Sequence, residues 1–283
     1  MKEIMVVAKW NKIVLGIILL MLTLPLLFLY VWLIFNSISG KPLYSLFPDQ
    51  ISLQSWIKLF GKLPEASGMP ASVFPILGNT VLVAGGVMIL NLLICGLAGY
   101  AISRLHFKGK EMLLSSLLVM KAFPLLILLI ATYFVLFYMR LLNTFFSVIL
   151  ARTAMELVMG TWIIKGFFDN VPKEIEESGI IDGASWLTLW RKIMIPLVRP
   201  GLFAVAIMAF IGGWSDFIFV YTFIFDQSKW TLSVFLYSLI ASQESVDYSF
   251  LATVSIFYML PTLMLYGLAQ KGLTRGVLGG GIK

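Results

Sequence analysis

The chain has 283 residues, of which 60% are hydrophobic and 12% are charged, with a formal net charge of +7. A soluble domain of this length carries about a quarter charged residues, so the composition excludes an ordinary soluble fold. The net charge does not indicate nucleic-acid binding, because lysines and arginines flank the cytoplasmic ends of membrane spans. Cys95 and His106 are the only residues of their kinds, which excludes an internal disulfide and a cysteine or histidine cluster.

Six apolar runs predict an all-α integral membrane protein with six transmembrane helices. Each run is about as long as the roughly 20 residues that cross a bilayer, and none alternates as the strands of a barrel do. In chain order, the predicted spans are Ile13–Phe35, Leu77–Leu97, Met112–Leu136, Thr144–Ile164, Leu202–Ile224 and Phe250–Leu268. We therefore predict that residues 1–283 form a single transmembrane domain.

The connections between the predicted spans indicate their orientation. Most lysines and arginines fall at the N-terminus, between spans two and three, between spans four and five, and after span six. Such charges concentrate on the cytoplasmic side, so both termini are predicted to be cytoplasmic. The connection at about 36–76 is then extracytoplasmic, and its amphipathic stretch Ile51–Phe60 is predicted to lie along the outer interface.

The longest charged stretch, Val171–Pro200, lies between predicted spans four and five and is therefore predicted to be cytoplasmic. Asn170 can cap a first short helix. Gly183 permits a turn, and Trp186–Ile195 can form a second helix that two prolines end. This pattern predicts a helix–turn–helix on the membrane surface, within a loop at about 169–200. An ordinary solvated loop with capped helices is the alternative.

A spaced motif lies within this loop: Glu177-Ser178-Gly179, then Gly183 after three residues, then Ile193, Ile195 and Pro196 after nine more. The motif resembles the EAA loop of ABC-importer permeases, which reads E-A-A, three residues, G, nine residues and I-x-L-P. Serine and glycine stand where the family usually has two alanines, and Ile195 stands where it has leucine. Four other segments are similar to the maltose-type, carbohydrate-importing branch of that family: Ala101–Gly109, Lys165–Phe168, Asp182–Ser185 and Gly213–Phe217.

The resemblance implies a six-span permease subunit of an ATP-binding-cassette importer in a bacterial-type cytoplasmic (inner) membrane. The partners that it implies are a second permease, two cytoplasmic ATPase subunits and an extracytoplasmic solute-binding protein. In that family the loop is a coupling helix that sits in a cleft of the ATPase. The coupling residues expected from the resemblance are Glu174, Glu177, Ser178, Gly179, Asp182, Gly183 and Ala184.

The sequence contains no G-x-x-x-x-G-K-[ST], the loop that cradles nucleotide phosphates. We therefore expect no covalent chemistry and no bound cofactor on this chain, with ATP and Mg on the partner ATPase subunits. The favoured function is half of the translocation pathway for a carbohydrate. The alternatives are an ion-coupled secondary carrier and a non-transporting scaffold or sensor. Secondary carriers often show two related halves, which this sequence lacks, and neither alternative explains the motif.

Four ionisable residues fall within the predicted spans, where such groups usually face a cavity or each other: Lys121, Arg152, Glu156 and Asp216. Arg152 and Glu156 are four residues apart, which predicts a local ion pair. We hypothesise that these four residues line the translocation path with Phe123 and Trp214, an aromatic suited to stacking on a sugar. A polar network that stabilises the bundle is the alternative. Related permeases more often carry neutral residues around Lys121 and Glu156, which leaves room for an acidic or phosphorylated sugar.

Overall fold

The computed structural model describes residues 2–40, 47–48, 50–63, 70–241 and 246–279, with side chains described between residues 14 and 268. Parts of the predicted extracytoplasmic segment at 36–76 lie outside these ranges. The described residues are helical apart from turns and one isolated bridge between Ser39 and Ile51. The helices are α1 Lys2–Ser37, α2 Gln54–Phe60, α3 Val73–Arg104, α4 Lys110–Met120, α5 Leu125–Tyr138, α6 Phe145–Asp169, α7 Lys173–Ile181, α8 Trp186–Thr188, a π-helical turn Leu189–Met194, α9 Ile195–Leu197, α10 Arg199–Trp214, α11 Ile218–Phe223, α12 Leu232–Ala241 and α13 Tyr248–Gly279.

Contacts divide the chain into two compact units, which are Met1–Pro64 with Ser238–Met259 and Glu65–Tyr237 with Leu260–Lys283. In the first unit, Lys58 on α2 forms a 3.1 Å ion pair with Asp247 and lies over the ring of Phe250. The Thr253 hydroxyl donates to the carbonyl of Ser37 at the end of α1. The start of α13 is therefore tied to both α1 and α2.

The second unit is built on α3, which packs along both α6 and α10. Glycines let these helices approach closely, as small residues do in membrane bundles. Gly99 lies against Ile164, and Gly160 lies against Cys95. Two buried apolar clusters join the helices, one around Val83, Val87, Val148, Ala209 and Phe223, and the other around Cys95, Ile164, Phe168, Leu189 and Met194.

Four helices of the described chain, α1, α3, α6 and α13, contain segments long and apolar enough to cross a membrane. Two further pairs are bent at short breaks, by 107° between α4 and α5, and by 79° between Trp186–Leu197 and α10. By length and composition, the described residues give four spans, or up to six if each bent pair counts as one.

The predicted span Met112–Leu136 is not one continuous helix, because α4 ends at Met120 and α5 begins at Leu125. Pro124 has no N–H to donate to the Met120 carbonyl, and a residue before proline is disfavoured in the helical region. Lys121 consequently lies in a break between two helices.

The predicted helix Leu202–Ile224 is also interrupted, between Trp214 at the end of α10 and Ile218 at the start of α11. The Asp216 carboxylate accepts from the amide of Phe219 at 3.0 Å and so satisfies one donor at the start of α11.

Gly213 lies where α10 contacts α3, and we predict that a larger residue there lowers the stability of the protein. A Cβ added there would lie 2.8 Å from the Cα of Ala84, a backbone atom that cannot swing away. We expect Gly213→Ala to cost about 1–3 kcal/mol through overpacking, and to lower the thermal unfolding midpoint in detergent by several degrees. Gly85→Ala on α3 is the control, because no atom lies within 4 Å of its added Cβ. Equal midpoints for the two variants would contradict the proposed close contact.

Candidate functional site

The central loop, Val171–Pro200, begins differently from its prediction. Asn170 is not an N-cap: it follows α6, and its side-chain amide donates to the Gly166 carbonyl. Pro172 occupies the N-cap position of α7, without a side-chain capping bond. The second predicted helix, Trp186–Ile195, contains the π-helical turn and runs through Pro196 to Leu197. Pro196 has no N–H to donate within this continuous helix, which ends one residue later at Leu197.

Most of the predicted coupling residues are exposed. Exposed positions are Glu174, Glu177, Ser178, Asp182 and Gly183, whereas Ala184 is half-buried and Gly179 is buried. The Ser178 hydroxyl donates to the Glu174 carbonyl one turn earlier. The exposed surface of the loop mixes these polar side chains with apolar ones, among them Ile180, Ile181 and Leu187.

Two glycines shape the turn after α7. Gly183 has φ +79°, a conformation that favours glycine. Its amide donates to Ile180, and the Ala184 amide donates to Gly179, both at 3.0 Å, which closes the helix end. A Cβ on Gly179 would lie within 3.0 Å of the side chains of Leu189 and Ile193, so α7 packs directly on the π-helical turn.

Sequence reasoning missed the attachment of α7 to α3. Glu176 is buried, and its Oε2 lies 2.8 Å from Arg104 Nε, in an ion pair whose side chains are 7% and 11% exposed. Tyr100 donates its hydroxyl to Glu176 Oε1 at 2.5 Å, and Arg104 Nη2 donates to the Val171 carbonyl at 2.7 Å. The available signal was Tyr100 and Arg104, four residues apart on one helix face.

A cavity of about 260 Å³ lies between the α4–α5 break and α6. Four of the six predicted path residues line it: Lys121, Phe123, Arg152 and Glu156. The predicted ion pair is present, with Arg152 Nη2 2.6 Å from Glu156 Oε1. Lys121 Nζ donates to the Met155 carbonyl at 2.9 Å. The cavity therefore joins two cations, one anion and an aromatic ring.

The other two predicted path residues lie elsewhere. Trp214 is 2% exposed, and its ring stacks on Phe210 at 5.8 Å. Asp216 is 5% exposed and lies 3.9 Å from Arg152 Nε, behind the Arg152–Glu156 pair. Neither side chain is among those that line the cavity, so in this conformation Asp216 balances Arg152 from the protein side.

Comparison with known proteins identifies the chain. Residues 92–279 match the family described as "Binding-protein-dependent transport system inner membrane component". The chain belongs to this family. It is accordingly the permease, or translocation subunit, of an ABC importer, and the ATPase activity of such importers lies in separate subunits. The family does not favour the alternative of an ion-coupled carrier.

Several relatives of this permease are named as permeases for sugars or sugar derivatives. It is 32% identical to the maltodextrin permease MdxG of Bacillus subtilis over 72% of this chain and 74% of that protein. It is 32% identical to MalG, a maltose/maltodextrin permease of Vibrio vulnificus, over 84% of each chain. It is 28% identical to SmoH, a sulfoquinovosyl glycerol permease of Agrobacterium fabrum, over 91% and 89%. A solved bacterial importer of the acidic polysaccharide alginate shares the fold, with a TM-score of 0.77, 16% identity, and coverage of 96% and 98%.

Proposed function

We propose that this permease forms half of the translocation pathway for a carbohydrate. It works with a second permease, two ATPase subunits that carry ATP and Mg, and an extracytoplasmic solute-binding protein, and it binds no cofactor itself. The sugar substrates of MdxG, MalG and SmoH, as their names give them, support a carbohydrate substrate here. We take α1, α3, α4–α5, α6, α10–α11 and α13 as six spans, and assign Trp186–Leu197, which bends sharply away from α10, to the central loop. The distribution of lysines and arginines supports cytoplasmic termini.

The central loop is proposed to carry the energy of ATP hydrolysis into the spans. Its support is the exposed surface of α7 and the glycine turn, which match the EAA motif in position. Glu177 at the centre of that surface is the proposed contact to the ATPase. Closure of the ATPase subunits moves the loop and rocks the spans, which opens the cavity to each side of the membrane in turn.

The cavity is proposed to contact the solute, and its charges favour one with an anionic group. Glu156 and Asp216 both face Arg152, whereas Lys121 takes part in no ion pair in the described part of the chain. A cation at bilayer depth without a carboxylate is costly, and a carboxylate, sulfonate or phosphate of the solute would supply the missing charge. Phe123, which is exposed, offers a ring for a sugar face.

The test is transport and ATPase stimulation by the reconstituted complex across neutral, acidic and phosphorylated sugars. We expect an acidic or phosphorylated sugar to be the best substrate. We expect Lys121→Gln to lower its transport about ten-fold, which corresponds to about 1.4 kcal/mol. Lys108→Gln, an exposed lysine outside the cavity, is the matched control. A neutral sugar as the best substrate would contradict the anionic group, and stimulation by no sugar would contradict the carbohydrate.

A further inference from the structure

Glu176 is the only glutamate of α7 that is buried, at 8% exposed. It receives the Tyr100 hydroxyl on one carboxylate oxygen and the Arg104 guanidinium on the other. The same guanidinium donates to the Val171 carbonyl, so Arg104 binds both the start of the central loop and the first half of α7. We name Tyr100, Arg104 and Glu176 the α3–α7 latch.

The side chains of the latch are largely buried and lie beside aromatic rings. The Tyr100 ring packs edge-on against Phe168 at 5.3 Å and against Trp186 at 5.7 Å. Water and salt screen a pair of buried charges much less than an exposed pair. The nearby Lys165–Asp169 pair is the contrast, because its aspartate side chain is 42% exposed and it joins residues of a single helix.

The position of the latch decides which helix a movement of α7 reaches. Without it, α7 is joined to the bundle through the short link that follows α6, and through burial of Gly179 on the π-helical turn within the loop itself. The latch adds an attachment to the last turn of α3. Because α3 packs along α6 and α10, and α6 carries the Arg152–Glu156 pair, this attachment connects the loop to the helices behind the cavity.

We propose that Arg104 and Glu176 are positioning residues that pass the movement of the central loop into α3, while the exposed Glu177 meets the ATPase. The inference rests on the proposed coupling role of the loop. It assigns the two neighbouring glutamates opposite tasks: Glu177 faces outward to the partner, and Glu176 faces inward to α3.

The test measures access of a water-soluble reagent to the cavity in the assembled complex. ATP and vanadate are added to trap the ATPase subunits in one state. In a Phe123→Cys background, the labelling rate by a water-soluble maleimide is measured before and after trapping; the native Cys95 is buried. We expect trapping to change this rate several-fold. In Glu176→Gln the labelling rate is expected to change less than two-fold on trapping, while the ATPase still co-purifies and still hydrolyses ATP. Lys58→Gln, which breaks a pair in the other compact unit, is the control and keeps the full change.

Two further variants separate transmission from folding. Arg104→Lys keeps the charge and is expected to give an intermediate labelling change. The exchange Arg104→Glu with Glu176→Arg is expected to recover at least half of it. A full labelling change in Glu176→Gln would overturn the latch. Loss of the labelling change together with loss of ATPase binding would also overturn it, because Glu176 would then act on docking rather than on transmission. Glu177→Gln tests the coupling surface separately: retained ATPase binding there contradicts the docking proposal and leaves the latch standing.

Discussion

Replacing Gly183 with valine is expected to abolish transport and ATPase binding while the spans stay inserted. Gly183 holds φ +79°, and a left-handed backbone costs an ordinary residue about 1–2 kcal/mol and a β-branched residue more. The turn relieves that strain by moving, which displaces the hydrogen bonds to Ile180 and Gly179. We expect the amount of ATPase that co-purifies with the permease to fall at least ten-fold.

Gly109 provides the matched control for this substitution. It also has positive φ, at +89°, and no atom lies within 4 Å of its added Cβ. Gly109→Val carries the same kind of strain in the α3–α4 connection, away from the proposed docking surface. Equal ATPase binding by the two valine variants would show that the turn does not form the docking surface.

The second large effect is expected at Arg152. Replacing it with methionine leaves Glu156 and Asp216 without the one cation that pairs with them in the described part of the chain. Breaking a fully buried pair from one side costs about 3–5 kcal/mol, and this site falls toward the lower end because Arg152 retains 23% exposure. We expect a clear fall in the thermal unfolding midpoint and in the yield of folded protein.

Removing the orphaned charges should restore the fold. Adding Glu156→Gln and Asp216→Asn to Arg152→Met is expected to recover most of the lost midpoint, without recovering transport. Lys121→Gln is the comparison, because Lys121 has no described carboxylate partner and should unfold near the wild-type temperature. If the triple variant stays as unstable as Arg152→Met, the three charges do not balance one another.

The sequence predicted long apolar helices well, because the thickness of a bilayer fixes their length. It could not predict their breaks with the same certainty, although Pro124 sits at one of them. Hydropathy averages over a window, whereas a single missing N–H ends α4. Side-chain direction was harder still. Trp214 looked suited to a sugar, but its ring is buried, next to Gly213, where α10 approaches α3 closely.

The choice between Glu176 and Glu177 illustrates the remaining gap. Both fit the acidic first half of α7, and helix periodicity separates their faces without saying which face is inward. That answer comes from Arg104, which is distant in sequence and reaches Glu176 only through the packing of α3. By contrast, the Arg152–Glu156 pair was predictable because both residues lie on one helix, four positions apart.

The break between α4 and α5 has a consequence for mutational scanning. In the described chain, no backbone amide donates to the carbonyls of Lys121, Ala122 and Phe123. These oxygens are acceptors that a hydroxyl-rich molecule can use in place of water. They belong to the main chain, so an alanine scan leaves every one of them in place. For a solute that binds in this cavity, such a scan would register the charge of Lys121 and the ring of Phe123, and would miss any hydrogen bond that the solute donates to these backbone carbonyls.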